Sequence, residues 1–166
     1  VLDKNEVFRP LYDEVSKMTE SEYQKLLPMI LEQDIFVIRN HIKEGRLTYE
    51  NLVLFYLYRI YKYELNNSTT LNTVIALNKE VLKQARELDE QNEMGVATQM
   101  QHPIYGMPIL LKDNINAMGM KTTAGSIALK DNKTEDSFIV QQLKKNGALI
   151  LGKVNLSEWA YFLCSG

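Results

Sequence analysis

Ile104-Tyr105-Gly106-Met107-Pro108-Ile109-Leu110-Leu111-Lys112-Asp113-Asn114 is an apolar run that ends abruptly in three polar residues. Apolar side chains at consecutive positions cover both faces of an extended chain, which is the pattern of a strand buried in a sheet with layers on both sides. Such a strand carries the ammonium of Lys112 to the rim of the core, where loss of water favours the neutral amine. A lysine so placed can serve as a base. Asp113 points the opposite way in an extended chain, and Asn114 supplies an amide beside it. The plainer alternative makes Lys112 the start of a solvated loop with Asp113 and Asn114 as turn residues, and spacing leaves both open. Downstream, a Gly- and Thr-rich loop (Met118 to Ser126) leads to a helix from Ser137 to Asn146 that Gly147 ends. Ala148 to Leu151 then reads as a second strand. Strand, loop, helix and strand in that order predict a crossover connection onto an open sheet.

Upstream the chain reads as helix. Apolar residues recur at helical spacing through Phe8, Leu11, Tyr12 and Val15, and again through Leu26, Leu27, Ile30 and Leu31, where Pro28 interrupts the run. Ile35, Ile38 and Ile42 form the next amphipathic stretch, stopped by Gly45. Thr48 caps a helix from Asn51 to Glu64 that is apolar or aromatic nearly all round, so it belongs between layers. Thr73 to Leu77 is a short strand, Asn78 a cap, and Lys79 to Asp89 a strong helix. Gln91 to His102 is a polar loop, and Leu156 to Leu163 starts a last short helix. Three short strands closed by Trp159, Ala160, Tyr161, Phe162 and Leu163 leave sheet edges and apolar surface without a partner. The expectation is an α/β fold that forms an incomplete domain.

The 166 residues suffice for a core, and 45% apolar with 24% charged residues is globular composition. Nineteen basic against 21 acidic residues, with no block of like charge, argue against a nucleic-acid partner. No apolar run reaches the ~18 to 20 residues that span a bilayer, so no membrane partner is expected. Cys164 is the one cysteine, which suits a reduced cytoplasmic compartment, although an export signal could lie upstream of Val1. Neither a metal nor a cofactor is expected, because His41 and His102 stand apart from other ligand types. Gly147, four residues, Gly152 and Lys153 copy most of a phosphate-binding loop. Val154 stands where that loop needs a hydroxyl for Mg²⁺, and Ala148 to Leu151 has the composition of a strand.

Gly106 to Ile115, Thr122-Thr123-Ala124-Gly125-Ser126, and Gly147 to Ala160 together resemble, in order and spacing, consecutive blocks of the amidase signature family. Gly45-Arg46-Leu47-Thr48 and Leu71 to Ile75 are similar to its N-terminal region, so the likeness covers about residues 34 to 162. The resemblance implies a mixed central sheet flanked by helices, with residues 1–33 as an N-terminal helical extension and 34–166 as the first part of the amidase domain. It implies hydrolysis of carboxylic amide C–N bonds by a serine, a second serine in a cis peptide, and a lysine, for which Lys112 is the match. In that scheme the neutral amine takes a proton from the bridging serine, and that serine takes one from the nucleophile. Both family serines lie in segments further along, so this chain is expected to be inactive alone. Trp159, Ala160 and Tyr161 match a region that lines the substrate channel in some members, and are candidate contacts for a small-molecule amide. Val154 replaces a common Thr and Tyr161 a frequent Asn, which leaves the substrate open. The Leu-Ser-Glu-Trp-Ala wording looks more like a stand-alone amidase, homo-oligomeric or not, than the family's amidotransferase subunit, which transamidates mischarged tRNA. A non-catalytic helical interaction module is the competing class.

Overall fold

The computed structural model describes residues 3–95 and 102–160. Four helices come first, each opened by an oxygen that accepts a backbone N–H left unpaired at the helix start. In α1 (Lys4–Val15) this is the Asp3 carboxylate, and in α2 (Glu20–Ile30) Thr19 and Glu22 form a reciprocal capping box. Asp34 caps α3 (Ile35–Lys43), and Thr48 caps α4 (Tyr49–Glu64). Pro28 does not interrupt α2, which runs past it to Ile30. It sits in the last turn, and the carbonyl it leaves unpaired belongs to Gln24, which is exposed and open to water. Gly45 takes a φ of +70° just after α3, as its place in the sequence predicts.

Among the described residues the sheet has three strands, β1 (Val74–Leu77), β2 (Pro108–Lys112) and β3 (Leu149–Val154), in the order β1-β3-β2. The central strand β3 runs antiparallel to β1 and parallel to β2, and the helix α6 (Phe138–Lys145) makes the crossover between the parallel pair. This is the mixed sheet flanked by helices that the resemblance implies. Between β1 and β2 lies α5 (Val81–Glu93), which starts two residues later and ends four later than expected. Asn78 does not cap it. Its side chain accepts from the Glu80 N–H and donates to the Ile150 carbonyl, tying the turn to β3.

Two apolar layers sandwich the sheet. On one side Leu149 and Leu151 pack with Phe8 and Leu11 of α1 and with Leu52 and Phe55 of α4, so helices within the first 33 residues share this core. On the other, Leu111 and Ile150 pack with Val140 of α6 and with Ala117. As expected, α4 is buried along most of its length, with Leu52, Val53, Phe55 and Leu57 fully enclosed. The side chain of α4's last residue, Glu64, is held by the Thr70 hydroxyl and by the N–H and hydroxyl of Thr73, with Lys4 alongside. Burial disfavours the charged carboxyl, but those hydrogen bonds and Lys4 outweigh it and hold Glu64 below its ordinary pKa. Such a group adds stability above the ordinary glutamate value, and that stability is lost as pH falls through the lower native value. Urea titrations between pH 7 and pH 3 should therefore show a shallower acid decline for Glu64→Gln than for the native protein.

The two glycines of the phosphate-loop pattern have structural duties. Gly147 ends α6 with a φ of +80°. At Gly152 a Cβ would lie 2.3 Å from the carbonyl oxygen of Ala76, because β1 and β3 approach too closely for any side chain there. Gly152→Ala should cost about 1 to 3 kcal/mol, the usual range for overpacking, read as a lowered urea midpoint. The residues between the glycines form β3 and not a loop that could curl around phosphate.

Candidate active site

Lys112 is the last residue of β2, paired with Val154 of β3. The strand ladder goes one step further, since the Asp113 N–H donates to the Val154 carbonyl at 3.1 Å. Alternation then turns Leu111 and Asp113 towards α6 and Lys112 to the opposite face. Leu110, also on that opposite face, lines a groove of about 700 Å³ whose walls include Ile38, Leu52, Tyr56, Ile60 and Pro108. The expected desolvation of Lys112 is not found: its side chain is exposed. The reason is topological. β2 is an edge strand of the described sheet, so no neighbour covers the end of it. Among the described residues the Lys112 amine has neither a hydrogen-bond nor an ion-pair partner.

The buried lysine is Lys153, which is fully enclosed. Its amine donates to Asp113 Oδ1 and to Thr122 Oγ1, both at 3.1 Å. The other Asp113 oxygen accepts the Thr123 N–H at 3.1 Å and the Thr123 hydroxyl. Every charge in this cluster is met by a partner, as a fully buried site requires. Burial pushes the Lys153 amine below its ordinary pKa, and Asp113 draws it back upward.

Main-chain bonds extend the cluster. The Ala124 N–H donates to the Asp113 carbonyl at 2.9 Å, and the Trp159 N–H to the Ala124 carbonyl at 2.7 Å. Ala124 and Gly125 hold successive φ values of +50° and +71°, with Gly125 pressed against Leu156 and Glu158. A left-handed alanine is strained and persists where its surroundings fix it. Here Asp113 on one side and Trp159 on the other do so. Of the expected helix from Leu156 to Leu163, the described residues up to 160 form a three-residue turn, Glu158–Ala160, in which Trp159 and Ala160 also take positive φ, and residues 161–163 lie outside the described residues. The Trp159 ring is exposed and Ala160 half-buried, while Tyr161 and Cys164 lie outside the described residues. One network thus joins the neighbour of Lys112 to Trp159, through main chain.

Sequence reasoning named Asp113 but not its partner. The missing signal was register: with Leu111 opposite Lys153, both residues must face α6, and a lysine on that face needs an acid.

The sequence model of the amidase family matches residues 51–165, a span that holds this whole cluster. The chain belongs to the amidase signature family. An Arabidopsis thaliana protein named Probable amidase At4g34880 is 40% identical over 136 residues, 80% of this chain and 25% of its own length. A glutamyl-tRNA(Gln) amidotransferase subunit of an Exiguobacterium species is 34% identical over 120 residues, 72% of this chain and 23% of its own. The crystal structure of an amidase family protein from Bacillus anthracis superposes with a TM-score of 0.84 at 33% identity, over 95% of this chain and 30% of that one. The amidase family chain therefore spans about a quarter to a third of these proteins.

Proposed function

We propose that the full-length protein is an amidase that hydrolyses carboxylic amide C–N bonds by a Ser-cisSer-Lys mechanism, with Lys112 as general base. The observation that supports this reading is the place of Lys112: within the stretch that resembles the family's motif, it stands at the C-terminal end of a strand parallel to β3, with no partner for its amine among the described residues. A charged ammonium cannot accept a proton, so the role requires the neutral amine at the working pH. The two serines and the oxyanion donors belong to segments beyond these residues, and the Trp159 to Tyr161 region would contribute to the channel for a small amide substrate. Loss of hydrolysis of a simple amide in Lys112→Ala tests the assignment, and retained turnover would end it. The match to a glutamyl-tRNA(Gln) amidotransferase subunit favours a second reading, an amidotransferase subunit that works with partner subunits. Hydrolysis of simple amides by the purified protein without partner subunits supports the first reading, and strict dependence on them the second.

A further inference from the structure

The buried pair beneath the strand end has a use that the proposed chemistry does not assign. Lys153 and Asp113 lie directly behind Lys112, on the face turned towards α6, where one positive and one negative charge meet at 3.1 Å, both enclosed. Asp113 is bonded to Lys112 through a single peptide link, and its N–H, its carbonyl and both carboxylate oxygens are engaged. Moving Lys112 would break one or more of these bonds. We infer that Asp113 and Lys153 are positioning residues for Lys112, which fix the strand end and cancel each other's charge so that the Lys112 amine is presented with no net charge behind it. The inference rests on Lys112 acting as the base.

The cancellation is the part with a measurable sign. A lone carboxylate one residue away would favour the ammonium form of Lys112 and a lone cation the amine form. On the loop after β2, on α6 and in the groove wall, charged groups have partners of their own: Lys121 with Asp131, Lys144 with Asp136, Arg59 with the Tyr23 hydroxyl. Glu64, across the groove on α4, is held by Thr70 and Thr73, and Glu158 lies at the exposed final turn. The substitutions below touch none of them.

The test is the pH dependence of kcat/KM for a simple amide, measured on the full-length enzyme. Lys153→Met leaves the Asp113 carboxylate held by Thr123 but without its counter-charge. The acidic limb should then move to higher pH, so that activity on that limb drops about tenfold against native while the alkaline plateau is largely kept. Lys153→Arg restores the charge and should return the limb towards its native place. Asp113→Asn is near-isosteric, provides a second variant where Lys153→Met does not fold, and should move the limb the other way. A limb unmoved in the soluble variants, or a loss equal at every pH, overturns the inference while Lys112→Ala remains inactive. Turnover that survives Lys112→Ala overturns the reading beneath it and is told apart by that variant alone.

Discussion

Lys112→Ala in the full-length protein is expected to lower kcat/KM for a simple primary amide by at least about 10³-fold, within the usual contribution of a positioned general base. Stability should not change, because the Lys112 side chain is exposed and makes no bond among the described residues. That separation of effects is what makes the substitution decisive. A residue that acted by holding the fold would lower the urea midpoint together with the activity. Lys112→Arg should be as inactive as the alanine variant, since a guanidinium keeps its proton at any working pH and cannot serve as a base. Partial rescue by arginine would mean that positive charge is what the site needs, and the assignment of Lys112 as base would fall. A loss of less than about tenfold in Lys112→Ala would have the same consequence.

Which parts of this arrangement are legible in the sequence follows from how local their causes are. Thr48 before α4 and Gly45 after α3 mark helix ends through bonds or dihedral angles within a few residues of themselves, and both work as read. The β2-α6-β3 crossover follows from the order of strand, loop, helix and strand along the chain. Pro28 misleads because a proline in a final turn frees a carbonyl that water can reach, whereas the same residue mid-helix would not be tolerated. Asn78 is the right kind of residue for a cap, but its amide finds the Ile150 carbonyl, 72 positions away, and no local rule anticipates that. Lys112 and Lys153 show the same limit in the site itself. An apolar run before a lysine suggests burial for the first, and nothing local marks burial for the second, which stands in an incomplete copy of a phosphate loop. The sheet order exposes the one at an edge, and the parallel register encloses the other opposite Leu111.

Asp113→Ala should be the most destabilising substitution in the cluster, by about 3 to 5 kcal/mol in urea unfolding of the full-length protein, because it strands an ammonium in a buried site. Lys153 cannot swing to water, being fully enclosed, and Thr122 offers it only a hydroxyl. The pair as a whole is a different matter. Two charges removed from water lose in solvation much of what they gain by attraction, so Asp113→Leu combined with Lys153→Met should cost far less than Asp113→Ala alone, about 2 kcal/mol or less. Proton linkage gives an independent check. Burial holds the Lys153 amine below its ordinary value, so the native state releases this proton before the unfolded chain does, and the group's contribution to stability rises with pH between those two values. Subtracting the curve of the double variant from that of the native protein should isolate this rise. If the double variant loses as much as Asp113→Ala, the loss comes from packing at the strand end and not from an unpaired charge.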